Sequence, residues 1–401
     1  MKARLGLVAG LLAVGSLLLT ACGGGTADEP PADQTPYRVM ISGGSDAGAF
    51  TNQLKTGVAA AKAATEVVNA AGGVNGRKVE LIESQDNADA TKALSNLRAQ
   101  IAKAKPDAYL TAAGSGVSVA VAGILQQNEI IFLDSGNAAE TNKPSTNPYA
   151  FHLAAPFKTV IESYLPELQA KSYKKVGVLH GNSAYAKQFG ATATETYKAK
   201  GYEVNAVEYD AKALDMIAQI SALQAFKPDV VVFNGYGAPV GYVLKGFTKL
   251  GWNVPLLGDT SVTATPLVTQ LPPDGMVGTP EVANLKLEIA RSLDAATASA
   301  ATKKAVEAMK AQGQIFGSLN NCFNYDAIML LAAAGNNAKS SAPKELTAAL
   351  LKPEVNANAG TAVYPAYPYL ADNHQPQLSA DSHIFVAPSV MKDGQVGHTG
   401  N

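Results

Sequence analysis

Cysteine is scarce in this sequence, and so is net charge. Only Cys22 and Cys322 occur among the 401 residues, and Cys22 falls at the end of an apolar leader. A chain with so few thiols has no disulfide framework and no cysteine-based metal site. The formal net charge of -1 gives no electrostatic reason to expect nucleic acid as a partner. We therefore expect no nucleic-acid partner, no metal and no cofactor.

Signatures of catalysis are missing as well. The sequence contains no HExxH motif, no Walker A loop and no EF-hand loop. The stretch GGSDA at 43–47 approaches the nucleophile elbow G-x-S-x-G, but alanine replaces the last glycine. The five histidines, one of which a serine nucleophile would need as its base, lie far apart in the sequence. We expect no catalytic residues, with a secreted α/β hydrolase built on Ser45 as the less favoured alternative.

The N-terminus carries a strong export pattern. Two basic residues precede an apolar run that ends at Leu19, which is too short for a stable membrane span and is typical of a secretory signal. The sequence LTAC at 19–22 resembles the lipobox of bacterial lipoproteins, in which the cysteine is lipidated and becomes the mature N-terminus. We predict a signal peptide at 1–21, lipidation at Cys22 and a flexible tether at 22–36. The protein would then work outside the cytoplasm, held at the cell membrane.

Short apolar runs alternate with alanine-rich helical patterns along the rest of the chain. Between the first two runs, Leu54, Val58, Ala61 and Val68 fall on one helical face. Strands that alternate with helices predict right-handed βαβ units and parallel sheets. The predicted strands are Tyr37–Ile41, Val79–Glu83, Ala108–Ala112, Ile130–Leu133, Lys175–Leu179, Val204–Tyr209, Asp229–Phe233 and Val254–Leu257.

One pattern occurs twice in the chain. KPDAYLTAAGSGVS begins at Lys105, and KPDVVVFNGYGAP begins at Lys227. Downstream, NEIIFLDS from Asn128 and NVPLLGDT from Asn253 repeat in the same order and at nearly the same spacing. Two matches in order predict two α/β lobes of one design.

The loops that follow the predicted strands share a composition. They are small, polar and aromatic, and none contains lysine or arginine. Ligands of open parallel sheets bind beyond the carboxyl ends of the strands, so we expect a recognition cleft there. The loops are SGGSDAG (42–48), GSGVS (114–118), DSGN (134–137), HGNSAY (180–185), NGYG (234–237) and GDTS (258–261).

The segment VVNAAGGVNGRKVELIESQDNADATKA at 67–93 resembles type I periplasmic solute-binding proteins of ABC importers, in the branched-chain amino acid-binding group. GSGVS, IIFLDS, YAFHLAAPF, KPDVVVF and NYDAIMLLAAA follow in that family's order. The resemblance implies two Rossmann-like lobes, joined by three crossovers, which close on a ligand by hinge motion. The implied first lobe comprises 37–153 and 277–357, and the second comprises 154–276 and 358–401.

The same resemblance implies a set of ligand-binding residues. At the GSGVS loop an apolar helix begins, and its backbone N–H groups with a serine hydroxyl would form a carboxylate site. The two tyrosines of the second lobe would complete the cleft. The implied residues are Ser115, Ser118 as its alternative, Ser135, Gly136, Asn137, Tyr185, Tyr236, Asp259 and Thr260.

One departure from the family bears on the ligand. Thr260 stands where amino acid-binding members place an acidic residue for the ligand's ammonium, so Asp259 would have to turn inward to replace it. We predict a small polar or amphipathic ligand, either an amino acid or an amide-like solute. An aromatic carboxylate stacked between Tyr185 and Tyr236 is the alternative. We further expect a monomer that delivers its ligand to an ABC permease, with a membrane sensor as the alternative partner.

Four isolated residues are assigned structural roles. Trp252 and His152 are expected to pack within the lobes, and Cys322 is expected to be buried and inert. His374 lies in a loop of Asn, Gln and Pro, so we predict that it is at the surface.

Overall fold

The computed structural model of the protein describes residues 35–46, 51–136 and 138–397. The predicted signal peptide, the lipidation site Cys22 and the predicted ligand residue Asn137 lie outside the described residues. Within the described part of the chain, no helix is both long enough and apolar enough to cross a membrane.

A five-stranded, wholly parallel sheet forms the first lobe, in the order β2-β1-β3-β4-β5. Because the sheet is parallel, the carboxyl ends of its strands lie along one edge. The strands are β1 (Tyr37–Ser42), β2 (Val79–Ser84), β3 (Ala108–Thr111), β4 (Ile131–Asp134) and β5 (Ala150–His152).

A six-stranded sheet forms the second lobe, in the order β11-β10-β9-β8-β6-β7. Its strands are parallel except for β11, which pairs antiparallel with β10 at the edge. The strands are β6 (Lys175–His180), β7 (Glu203–Glu208), β8 (Val230–Phe233), β9 (Leu256–Gly258), β10 (Leu285–Ala290) and β11 (His383–Val386).

Thirteen α-helices are found in the described residues. In chain order they are α1 (Thr51–Ala70), α2 (Ala90–Lys103), α3 (Ser115–Gln127), α4 (Phe157–Glu162), α5 (Leu165–Ala170), α6 (Ala184–Ala199), α7 (Ile217–Phe226), α8 (Ala238–Lys249), α9 (Thr260–Thr263), α10 (Ala300–Ala311), α11 (Phe323–Ala338), α12 (Pro343–Leu350) and α13 (Pro353–Ala357).

The alanine-rich sequence allows α1 to approach its neighbours closely. Helix α1 packs against α10 and α11, and its buried residues include four alanines and Gly57. A Cβ on Gly57 would lie 2.8 Å from the Ala112 side chain, so only glycine fits there without a shift. This packing holds α10 to α13 on the first lobe.

The predicted strands are observed with shifts of one or two residues, but β5, β10 and β11 were not predicted. β10 pairs with β9, so residues 285–290 belong to the second sheet and the boundary predicted at 276 is too early. The sequence LKLEIA alternates apolar and polar residues, which is itself a strand pattern, but the prediction relied on continuous apolar runs and missed it.

The boundary predicted at 357 also needs correction. The buried carboxylate of Asp326, on α11, accepts hydrogen bonds from the backbone N–H of Ala362 at 2.5 Å and of Val363 at 2.9 Å. These bonds keep the following segment beside the first lobe. The chain joins the second sheet only at β11.

His374 is buried, which contradicts the predicted surface position. Its ring stacks on Phe151 with centroids 4.1 Å apart, and its Nδ1 lies 2.9 Å from the carbonyl oxygen of Ala150. The polar loop around it hides this contact from sequence reasoning. Trp252 packs on Phe247 with ring centroids 5.2 Å apart, and Cys322 is buried, which raises the pKa of its thiol.

Candidate functional site

A cleft of about 670 Å³ lies where the carboxyl ends of both sheets meet. The loops after β3, β4 and β5 line it from the first lobe, and the loops after β6, β8 and β9 line it from the second. The chain therefore brings together loops from both halves of the repeated pattern. This is the edge at which open parallel sheets bind ligands.

The start of α3 forms one wall of the cleft. Gly114 occupies the N-cap position in extended conformation, and no side chain caps the helix. Ser115, Gly116 and Val117 in the first turn line the cleft. Backbone N–H groups of an uncapped first turn carry partial positive charge, so this wall suits an anion or a carbonyl oxygen.

The carboxylate of Asp134 organises the loop beside that helix start. Its Oδ1 accepts hydrogen bonds from the Ser118 hydroxyl and from the Gly136 amide, both at 2.6 Å, and its Oδ2 accepts one from Thr141 at 3.1 Å. Ser118 is fully buried by this arrangement. Of the two predicted serines, Ser115 therefore lines the cleft, whereas Ser118 supports the loop from behind.

Ser135 and Gly136 also line the cleft. The Ser135 hydroxyl is used internally, because it donates to the carbonyl oxygen of Thr111. Gly136 leaves no room for a side chain, since a Cβ there would lie 2.2 Å from the Ser118 Oγ and 3.1 Å from the Ser115 amide nitrogen. A glycine here lets the loop lie directly against the start of α3.

Tyr185 forms part of the opposite wall. Its ring packs at 4.9 Å from that of Phe157, and both residues line the cleft. Burial raises the pKa of the Tyr185 hydroxyl, and the neighbouring hydroxyls of Thr260 and Ser261 offset part of that rise. Thr260 and Ser261 line the cleft at the same place. The tyrosine thus presents a neutral aromatic face.

Tyr236 reaches across the cleft from the second lobe. The side chain of Gln53 on α1, in the first lobe, lies beside its hydroxyl. Burial raises the pKa of the Tyr236 hydroxyl, so this contact is between two neutral groups. Sequence reasoning missed Gln53, because it follows the predicted loop at 42–48 and a lone glutamine carries no recognisable signal.

Asp259 does not line the cleft. It is fully buried and caps α9, with its Oδ1 accepting from the Val262 amide at 3.0 Å and its Oδ2 from Asn234 at 2.7 Å. Burial raises the pKa of this carboxyl to about 6. A ligand-binding role for Asp259 stays a prediction that would require its side chain to turn away from both partners.

The tail of the chain also lines the cleft. Val363, Tyr364 and His383 line it there, together with Phe323 at the start of α11. The Tyr364 hydroxyl lies 3.2 Å from the Nε2 of His383, and burial lowers the pKa of that imidazole to about 4. Val363, Tyr364 and His383 were not predicted, because the motifs that carry the sequence resemblance end with NYDAIMLLAAA, before the tail.

The cleft wall formed by the described residues carries no formal charge. Among the residues described by the structure, no lysine, arginine, aspartate or glutamate lines it. The undescribed residues at 47–50 and 137, which adjoin the strand-end loops, are Ala, Gly, Ala, Phe and Asn. The titratable groups that do line it are tyrosines with raised pKa values and the neutral His383. An ionised ligand would therefore meet dipoles rather than formal charges.

Two parallel-sheet lobes with a cleft at their carboxyl ends define a solute-binding protein of the two-lobed class. A family model described as "Periplasmic binding protein" matches residues 44–381. The chain therefore belongs to the periplasmic binding protein family, which confirms the resemblance found in the sequence.

Individual relatives agree with this family. The Leu/Ile/Val-binding protein homolog 3 of Brucella melitensis biotype 1 is 28% identical over 231 residues, which are 54% of this chain and 58% of the relative. The chain thus spans little more than half the length of that curated relative. A leucine-binding protein from Thermotoga maritima MSB8 has a similar fold, with a TM-score of 0.65, 19% identity, and coverage of 87% of this chain and 97% of that chain.

A second solved structure shares the fold. It is an ABC transporter solute-binding protein from R. palustris in complex with benzoate, with a TM-score of 0.66 and 17% identity. The match covers 90% of this chain and 94% of that chain. At these identities, the solved structures show the fold alone.

Proposed function

We propose that this protein is an extracytoplasmic, non-enzymatic receptor that captures a small carboxylate or amide between its lobes and delivers it to an ABC importer. One observation carries the proposal: an uncharged cleft at the carboxyl ends of both sheets has the uncapped start of α3 in its wall. The first-turn N–H groups would hold a carboxylate or amide oxygen. Tyr185 and Phe157 would pack against the apolar part of the ligand.

The same observation argues against an obligatory ammonium on the ligand. A buried ammonium without a carboxylate partner is costly, and Asp259 directs both carboxylate oxygens to other partners. A carboxylate at the start of α3 needs no formal positive charge, because the helix supplies oriented N–H groups. The complex of a structural relative with benzoate, a carboxylate without an ammonium, supports this choice.

Matched pairs of ligands test the proposal directly. We expect 4-methylpentanoate to bind more tightly than leucine, and 3-phenylpropionate more tightly than phenylalanine, by about tenfold or more, because only the amino acids bring an unpaired ammonium. Isothermal titration calorimetry measures the ratio. A ligand at 100 times its dissociation constant also stabilises the fold by about 2.7 kcal/mol, which a thermal-shift assay detects.

The opposite ranking would contradict the absence of a cation site. Tighter binding of leucine would require a carboxylate partner, and Asp259→Asn should then weaken that binding by more than about tenfold. Hydrolysis of a bound ester or amide would instead support the α/β hydrolase alternative.

Membrane anchoring belongs to the same proposal. The LTAC sequence at 19–22 supports lipidation of Cys22. We expect the wild-type protein to partition with membranes and Cys22→Ala to be either released or left unprocessed. Fractionation and mass spectrometry of the N-terminal peptide measure this outcome. Recovery of wild type wholly in the soluble fraction, with no lipid mass on that peptide, would refute the anchor.

A further inference from the structure

Three carboxamide side chains lie together where the first lobe borders the cleft. Gln53 is on α1, Asn320 is in the short 3-10 turn Leu319–Asn321, and Asn324 is in the first turn of α11. Gln53 and Asn320 line the cleft, and Asn324 lies behind them. We call these three residues the amide patch.

Close packing of two segments builds the amide patch. The Gly317 amide donates to the Thr56 hydroxyl at 2.8 Å, which seats the segment before α11 along α1. A Cβ on Gly57 would lie 3.2 Å from the Asn324 Nδ2, so the glycine leaves the space that this amide occupies. Gln53 is one helical turn before Gly57, on the same face of α1.

The amide patch has buried hydrogen-bonding capacity that the described residues do not satisfy. The Gln53 Oε1, the Asn320 Nδ2 and both amide atoms of Asn324 are buried and have no hydrogen-bond partner there. Most buried polar side-chain atoms in proteins are paired, so four such atoms in one patch call for an explanation. Asn321, in the same turn, shows the usual solution, because its Nδ2 donates to the Ser318 carbonyl oxygen at 3.2 Å.

The amide patch also lies where the two lobes meet. Tyr236, from the second lobe, has its hydroxyl beside the Gln53 side chain at this part of the wall. Separation of the lobes would move Tyr236 away and expose the patch. Closure would then trap any ligand group that has bound there between Gln53 and Tyr236.

We propose that the amide patch is a subsite for a hydroxyl group on the ligand, so that the preferred solute is a hydroxylated aromatic carboxylic acid. A hydroxyl both donates and accepts, and it can therefore pair with an amide carbonyl oxygen and an amide N–H together, whichever way each amide is turned. A second carboxylate can accept from the amides but has no hydrogen to donate to the Gln53 Oε1, and a methyl group would leave the amides unpaired. This inference rests on the proposed function, in which the start of α3 holds the carboxylate.

Calorimetry with two matched pairs of acids tests the subsite. The pairs are benzoate with 4-hydroxybenzoate, and 3-phenylpropionate with 3-(4-hydroxyphenyl)propionate, which differ in length and so place the hydroxyl at two distances from the carboxylate. In the wild type, we expect the hydroxylated member of at least one pair to bind about tenfold more tightly, because it pairs amides that are otherwise unsatisfied. In Gln53→Leu and in Asn320→Ala, that ratio should fall to about two or less.

Gln188→Leu is the matched control. Gln188 is exposed on α6, outside the cleft, and its amide contacts Thr192. This variant should keep the wild-type ratio. Equal affinities within both pairs in the wild type, or an unchanged ratio in both patch variants, would overturn the subsite. Failure of all four acids to bind the wild type would contradict the carboxylate receptor itself, and the subsite with it.

Discussion

Gly136→Ala should abolish high-affinity ligand binding and destabilise the first lobe, whereas Gly123→Ala should do neither. A Cβ at Gly136 would meet the Ser118 Oγ at 2.2 Å and the Asp134 Oδ1 at 2.9 Å. The loop must therefore move away from Asp134. This movement breaks the hydrogen bonds that the Asp134 Oδ1 accepts from Ser118 and Gly136, and it shifts the start of α3. Overpacking of this kind costs about 1–3 kcal/mol, and we expect at least a tenfold loss of affinity.

The control lies on the same element as the proposed carboxylate site. Gly123 is within α3, and a Cβ there would meet nothing within 4 Å. Alanine at an open helical position should leave stability unchanged or raise it by up to about 1 kcal/mol. Chemical denaturation and calorimetry on both variants measure the two effects. If Gly136→Ala binds the ligand with wild-type affinity, the loop after β4 does not position the start of α3 for binding.

The strands could be predicted because their apolar runs are continuous and buried. Ile131–Asp134 and Val230–Phe233 are fully buried on both faces, so their hydrophobic residues follow one another without interruption. β10 alternates apolar residues with Lys286 and Glu288, so a prediction based on continuous apolar runs missed it. The partners of the Glu288 carboxyl are Ser163 and Tyr164, between α4 and α5, and Thr260 on α9, and such distant contacts leave no mark on local sequence.

The candidate site could be predicted only where it consists of strand-end loops. Ser115, Ser135, Gly136, Tyr185, Tyr236 and Thr260 were predicted from such loops, and all of them line the cleft. Their roles in binding stay predictions. Loop composition could not distinguish Ser115 from Ser118, because the difference lies in the hydrogen bond from Ser118 to Asp134. The walls contributed by Gln53 and His383 depend on helix packing and on the path of the tail, which no local pattern encodes.

A buried acidic pair beneath the cleft should make the stability of the second lobe depend on pH. Glu288 and Asp259 are both fully buried, on β10 and at the end of β9. The Glu288 carboxyl contacts the Tyr164 hydroxyl at 2.9 Å and the Ser163 hydroxyl at 3.4 Å, and neither is a cation. Burial, together with the nearby charge of Asp259, raises the pKa of Glu288 to about 8.

The direction of the effect follows from proton linkage. The ordinary pKa of a glutamate is about 4.3, so in the unfolded chain this carboxyl is ionised at neutral pH. The folded protein holds the proton more tightly, and stability therefore falls as pH rises from the unfolded value through about 8. For each proton that the folded state binds and the unfolded state does not, the free energy of unfolding falls by about 1.4 kcal/mol per pH unit.

The window from pH 6.5 to 8.5 separates Glu288 from the buried aspartates and histidines. Burial raises the pKa of Asp259 and of Asp326 to about 6, so both have lost most of their protons before this window. Burial lowers the pKa of His374 and of His383, and these histidines change stability with the opposite sign, below their ordinary value of about 6.5.

Glu288→Gln should therefore flatten the pH dependence of stability and make the protein more stable than wild type at pH 8.5. The amide keeps a hydrogen-bonding group against Tyr164 and cannot ionise.

The control is Glu167→Gln on α5, whose carboxylate is partly exposed and pairs with Lys286 on the same strand as Glu288. Because that carboxylate faces a cation, which Glu288 lacks, its variant should keep the wild-type slope. Urea denaturation at five pH values across the window gives the free energy of unfolding for all three proteins.

Parallel curves for wild type and Glu288→Gln would mean that Glu288 is already ionised at neutral pH. Burial with only hydroxyl partners argues against that state, since a charge there would have no cation to balance it.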